Sequence, residues 1–257
     1  MENVYFALTE ELNRDGRIAV LGSGQAVVWH RLAIMSKDGD WILRETEEAC
    51  ARVLMVLRPR RARYRPGAPL DVRWLAGGWS SHFELFDERR RRVRCDFFTR
   101  PPRLGQDDVE ALFADGEAPP VVDVESLVLL KQTQRAKDYA VIGELARRLP
   151  PERELELTTD PDRILALAPS FPHSNRPAAR AARGGDRREV VRALAEEIDE
   201  MQRRDRARLA AYERAAEPYL AAVRSLDRDE LAVPGGHTRL VELAEALLPT
   251  SPSRTEP

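Results

Sequence analysis

The chain has 257 residues, 43% of them hydrophobic, enough for the core of one large domain or of a medium domain with an appendage. Lys plus Arg number 41 and Asp plus Glu 43, a net charge of −2, which excludes a polycation that coats nucleic acid and leaves any anionic partner to a local patch. No run approaches the ~20 apolar residues of a membrane span, the start MENVYFALTEELNRDG lacks a basic end and apolar signal core, and Cys50 and Cys95 are too few for a disulfide framework and wrongly spaced for zinc, so the composition predicts a cytoplasmic protein that makes no use of a membrane.

In chain order, residues 6–13 read as a short helix and 17–21 as a strand. The break Gly22-Ser23-Gly24 leads into an apolar run over 25–34 suited to a buried helix. A polar turn, Ser36-Lys37-Asp38, precedes a strand over 40–44. A helix over 47–58 then shows Ala49, Val53, Val56 and Leu57 on one face. The stretch PLDVRWLAGGWSSHFELFDERRRRVRCDFFTRPP alternates with period two around turns at Gly77-Gly78 and Asp87-Glu88, which predicts antiparallel strands. The fold class is therefore α+β, a mixed β-sheet with flanking helices. A helix over 124–149 is stopped by Pro150-Pro151. The Pro-, Gly- and Arg-rich run PSFPHSNRPAARAARGGD reads as a loose linker, and helices over 187–212 and 238–248 close the sequence. The expected domains are 1–150, a linker over 151–186, a helical C-terminal segment over 187–249 and a disordered tail over 250–257.

Three elements carry chemistry: the Gly22-Ser23-Gly24 turn after the first strand, Asp38-Gly39-Asp40, and Asp96 within a strand over 92–99. Alternation points Asp38 and Asp40 the same way if that segment is extended, and two such carboxylates repel unless a cation lies between them, a role that suits Mg²⁺. On the third strand Val93, Cys95 and Phe97 share one face and Arg94, Asp96 and Phe98 the other, so Asp96 needs a partner. The glycines allow the backbone to approach a phosphate.

This order of motifs resembles the nucleotidyltransferase superfamily, whose fold is that of DNA polymerase beta. Leu21 to Leu43, with Leu130-Lys131 and Arg135-Ala136-Lys137-Asp138, is similar to small bacterial nucleotidyltransferase-like proteins that include toxin and antitoxin components, and the likeness covers roughly residues 15–149. The resemblance implies that Gly22 and Ser23 hold a triphosphate such as that of ATP, that Asp38 and Asp40 bind Mg²⁺, and that Asp96 binds one metal and helps to activate the attacking hydroxyl. Lys131 and Arg135, at i,i+4 on one helix, are either a basic arm on the triphosphate or ordinary solvated charge.

Other readings stay open beside these. Asp38-Gly39-Asp40 could be a polar turn, and Asp71 is a rival third carboxylate or a partner for Arg73. His30 reads as a packing residue. Trp79 to His82 is either a substrate-facing loop or core, and Arg89 to Arg92 either a soluble hairpin tip or a contact for RNA phosphates. The expected activity is transfer of a nucleoside monophosphate from a nucleoside triphosphate to a hydroxyl on RNA, protein or a small molecule. The alternative is a catalytically silent binding protein that holds a cognate partner. A pure RNA-binding module is disfavoured by the near-neutral charge and the lack of an aromatic stacking platform. No G-x-G-x-x-G opens a helix and no G-x-S-x-G occurs, which excludes the dinucleotide and hydrolase motifs. The C-terminal helix is expected to dock its Val191, Leu194, Ile198 and Met201 side within the same chain and to leave Arg203, Arg204, Arg206 and Arg208 outward.

Overall fold

The computed structural model describes residues 3–114 and 119–252; the last five residues of the expected tail, 253–257, lie outside them. The chain forms two compact units. The first takes residues up to Val122 together with those from Ala210 onward, and the second spans Asp123–Leu209.

The first unit opens with α1 (Val4–Leu12), β1 (Ala19–Leu21), α2 (Ser23–Trp29), β2 (Asp38–Leu43) and α3 (Glu47–Leu57). There follow β3 (Arg63–Tyr64), α4 (Val72–Leu75), β4 (Ser81–Phe86), β5 (Arg92–Phe98) and α5 (Gln106–Leu112). Side-chain caps fix the helix starts: Asn3 accepts from the Tyr5 amide and Thr46 from the Ala49 amide, and Glu47 and Glu48 add favourable charge to the first turn of α3. The five strands form one sheet in the order β1-β2-β5-β4-β3. The β2–β5 pair is parallel and the other three are antiparallel. This is the expected α+β class with a mixed sheet, consistent with the nucleotidyltransferase fold.

Period-two alternation divides the sheet into unlike faces. One face buries Leu21, Trp41, Phe83, Cys95 and Phe97 against Tyr5, Leu8 and Leu12 of α1 and Val53, Val56 and Leu57 of α3. Trp41 and Phe97 stack with ring centroids 5.2 Å apart, and the Trp41 indole N–H donates to Thr9 Oγ1 at 2.9 Å, so the buried ring leaves no polar atom without a partner. The returning chain completes this core with Ala216, Tyr219 and Val223, and with Leu240 and Ala244 of α12 (Gly235–Leu247). The other face, around the middle of β2, β5 and β4, carries the polar residues.

The second unit holds α6 (Val124–Leu130), α7 (Ala136–Ala146), α8 (Pro151–Leu157), α9 (Pro161–Leu167) and α10 (Pro177–Ala182), and α11 (Arg187–Arg224) begins in it. The stretch 151–186 is thus largely helical rather than a loose linker. Pro151, Pro161 and Pro177 each occupy the first helical position, where a missing N–H costs nothing. Ala178, Ala179 and Ala182 pack closely against Leu155, Ile164, Val190 and Leu194. Two arginines of this stretch are paired: Arg163 grips buried Glu154 through two bonds of 2.6 and 2.7 Å, and Arg176 bonds Glu197 at 2.9 Å. The packed side of α11 is Val190, Leu194 and Ile198, whereas Val191 is exposed. Among the described residues no helix is long and apolar enough to cross a membrane.

Candidate functional site

Strand register decides which of the expected residues meet. In the parallel β2–β5 pair Asp38 is partnered with Arg94 and Asp40 with Asp96. In the β4–β5 pair His82 is partnered with Asp96, Glu84 with Arg94 and Phe86 with Arg92. Partnered residues share a face, so Asp38, Asp40 and Asp96 all lie on the polar face. Two rows cross the strands. One reads Asp40, Asp96, His82; the next reads Asp38, Arg94, Glu84 and, through β3, Arg63. The second row alternates in sign, a favourable cross-strand arrangement, while the first sets two acids side by side.

The Gly22-Ser23 turn joins this site through the backbone. The Gly22 amide donates to the Asp40 carbonyl at 2.8 Å, which extends the β1–β2 pairing by one residue and brings the start of α2 beside Asp40. Ser23 has φ +48, in the left-handed region that costs a non-glycine residue free energy. Gly24 lies so near the 30–37 loop that a Cβ there would stand 2.2 Å from Ser36 Oγ. Buried Gln25 donates to the Ser36 and Asp38 carbonyls at 3.0 and 3.3 Å and accepts from Asn3 at 3.1 Å. Sequence reasoning missed Gln25; a lone buried amide gives no signal apart from its place directly after Gly24. On the core side of β2, a Cβ on Gly39 would fall 2.5 Å from the rings of both Tyr5 and Trp41. The residue between the two acids must therefore be glycine for packing reasons. Tyr5 donates its hydroxyl to the Lys37 carbonyl at 2.6 Å, and burial, with nearby carboxylates, pushes its phenol up to about 12.

The charges on this face are compensated. Asp96 Oδ1 bonds His82 Nδ1 at 2.9 Å and Arg65 at 3.1 Å, and Asp38 meets Arg94 at 3.4 Å. The His82 ring lies over Gly67, where a Cβ would stand 2.4 Å from it. Sequence reasoning gave no role to Arg65 or Arg94, although alternation puts Arg94 with Asp96. In donor chemistry and register the three carboxylates suit a hard divalent cation. As placed, however, no group of three His, Cys, Asp or Glu side chains converges enough to hold a metal ion among the described residues.

Several expected residues take other places. Asp71 does not stand in a strand; its side chain accepts from the Arg73 amide and caps α4, and it also binds the Arg73 guanidinium at 2.9 Å. Lys131 and Arg135 do not share one helix face. The helix expected over 124–149 breaks between α6 and α7, with Lys131 ending the first and Arg135 preceding the second. Both belong to the second unit, where buried Asp138 takes Arg135 at 2.9 Å and Lys131 at 3.7 Å. His30 bonds the Val122 carbonyl at 2.9 Å, as a packing residue would. Trp79 is buried and donates to the Pro249 carbonyl, and Ser81 is buried too, so these two are core, whereas His82 stands on the polar face.

Beside the hairpin end of β5 a cleft of about 550 Å³ is lined by Lys37, Asp38, Asp87, Arg91, Arg92 and Arg94, by Tyr5 and Val93 from the core side, and by Ile34 and Met35. Phe86, the partner of Arg92, is 60% exposed. An exposed aromatic beside paired arginines is a feature that composition does not reveal.

No family model and no curated protein sequence matches the chain. Two solved structures from Helicobacter pylori are similar to it, each with a TM-score of 0.40: JHP933, 11% identical over 81% of this chain and 93% of that one, and a "putative nucleotidyltransferase", 12% identical over 79% and 96%. Similarity of this degree is coarse.

Proposed function

We propose that the chain transfers a nucleoside monophosphate from a nucleoside triphosphate to a hydroxyl, and that the polar face of the sheet is the site. The observation that supports this reading is the register in which Asp40 and Asp96 are partners, with the Gly22-Ser23 turn bonded to the Asp40 backbone. Asp38 and Asp40 would hold Mg²⁺, with Asp96 as the third ligand. The metal, when bound, neutralises charge that develops on the phosphoryl oxygens. The Gly22 and Ser23 turn would orient the triphosphate. Asp96 holds Arg65 and His82 through Oδ1, so Oδ2 is the oxygen left to reach a metal or to receive the proton of the attacking hydroxyl.

A second reading is favoured by the ion pairs themselves. Asp96 and Asp38, already matched by Arg65 and Arg94, need no metal for charge balance, which suits a catalytically silent binding protein such as one member of a toxin–antitoxin pair. Incubation with each labelled nucleoside triphosphate, Mg²⁺ and total RNA and protein separates the two. Label should move to an acceptor, and Asp40→Asn should lower the rate by orders of magnitude while the fold persists. Absence of transfer by the unsubstituted protein, or an undiminished rate in the variant, favours the silent reading.

A further inference from the structure

We propose that the polar sheet face is a track for a single strand of nucleic acid, with a base stacked on Phe86 and phosphates on Arg92 and Arg94. Alternation puts Phe86, Glu84 and His82 of β4 on one face with Arg92, Arg94 and Asp96 of β5. The face thus runs from an exposed aromatic, through guanidinium groups, to the acids. From the Phe86–Arg92 row to the His82–Asp96 row is four residues of strand, on the order of 13 Å. A phenyl ring left 60% exposed at the end of a strand offers a base the flat apolar surface that single-strand binders use.

At the hairpin end charge favours a phosphate-bearing ligand over a neutral one. Residues 84–94, tip included, hold five arginines (Arg89, Arg90, Arg91, Arg92, Arg94) against three acids (Glu84, Asp87, Glu88), a balance of 5 − 3 = +2 in a chain whose net charge is −2, and the acids Asp38, Asp40 and Asp96 lie farther along the face. Arg92 is held at 2.9 Å by Glu84 and Arg94 at 3.4 Å by Asp38, and a guanidinium so anchored keeps donors for a phosphate. The side chains of Lys37, at the cleft wall, and Arg90, at the hairpin tip, form no ion pair among the described residues and extend the basic edge. In the cleft lining Ile34, 99% exposed, and Met35 give a second apolar contact.

The direction of the strand, with its terminal hydroxyl at Asp40 and Asp96, rests on the transfer reading; the binding itself does not. Binding is therefore measured without nucleotide, by fluorescence anisotropy of the full chain with a short labelled single-stranded RNA, the matching DNA, and a polyglutamate peptide. Either strand should bind, and Phe86→Ala should weaken it about tenfold while Phe86→Trp retains it. Arg92→Gln should flatten the dependence of log affinity on log salt by about 0.7 for each phosphate it no longer neutralises. An unchanged thermal midpoint in Phe86→Ala excludes a folding defect. Equal affinity of Phe86→Ala and the unsubstituted protein, or capture of polyglutamate as tightly as either strand, overturns the proposal. Strand binding without any label transfer sinks the transfer reading alone, and transfer without strand binding sinks this one.

Discussion

Gly39 shows how a packing demand and a chemical one meet in a single residue. It separates Asp38 from Asp40 on the polar face, while its own Cα faces Tyr5 and Trp41 on the other, where a Cβ would stand 2.5 Å from each ring. Neither ring can retreat, because Trp41 is held by Thr9 and Phe97 and Tyr5 by the Lys37 carbonyl. Gly39→Ala is expected to destabilise the protein by about 1–3 kcal/mol through overpacking, read as a lower urea midpoint at unchanged slope. Ser23 presents the opposite case. Its φ of +48 is strained for serine, and glycine would adopt it freely, so Ser23→Gly should raise stability by up to about 1 kcal/mol. If the turn acts through its backbone, the same variant keeps its transfer rate; a large drop would assign the work to the hydroxyl.

At the scale of elements, the junction of β3 and α12 sets a pH dependence. Tyr64 accepts from the Leu70 amide and shares a hydrogen bond of 2.8 Å with His237 Nδ1. Burial holds His237 below its ordinary value of 6.5. The unfolded chain binds this proton more readily, so the contribution to stability is complete above 6.5 and is lost as pH falls from there through the depressed folded value. Glu45, held low by its bonds to Arg100, works against acid in the range of ordinary carboxylates below that. Denaturant midpoints measured across this range should fall with pH in the unsubstituted protein and show a weaker slope above the carboxylate range in His237→Gln.

How much of this was legible in the sequence follows from the range of each interaction. Period-two alternation foretold that Asp38 and Asp40 share a face and that Asp96 sits with Arg94, because alternation is local. That β2 and β5 are parallel neighbours, and that Asp40 faces Asp96, depends on pairing between distant strands, and no local pattern encodes it. Where short-range side-chain bonds override the periodic pattern the expectation failed: Asp138 gathers Lys131 and Arg135 at the break in a helix that reads as continuous, and Asp71 caps a helical turn in a segment that alternates like a strand. The Pro-rich stretch misled because proline was counted as a breaker, when three of its prolines start helices.

For the molecule as a whole, the C-terminal stretch is core and not an appendage. Ala216, Tyr219, Val223, Leu240, Ala244 and Leu248 belong to the same apolar cluster as Trp41 and Phe97, Tyr219 donates to the Gly67 carbonyl, and Val233 donates its amide to Ala62. Removing the chain after Leu209 strips several large buried side chains, each worth about 2–5 kcal/mol when truncated, which exceeds the whole stability of an ordinary domain. The shortened protein should therefore lose the cooperative thermal transition followed by the fluorescence of the buried Trp41, Trp74 and Trp79 of the first unit, and nucleotide binding with it. A truncation in which that signal still melts cooperatively would show that the first 122 residues make a core by themselves.

The first unit is interrupted by the 87 residues of the second, Asp123–Leu209, and this has a consequence on the ribosome. Strands β1 to β5 leave the exit tunnel long before Tyr219 and Leu240 are made, and at about 5–20 residues per second the nascent sheet waits several seconds, on that order, with the apolar side that those residues will cover open to other chains. Asp123–Leu209 carries its own apolar cluster and can condense during that interval. The order of synthesis therefore runs opposite to the order of completion: the segment translated first is finished last, and chaperone dependence should fall on the sheet rather than on the inserted helices.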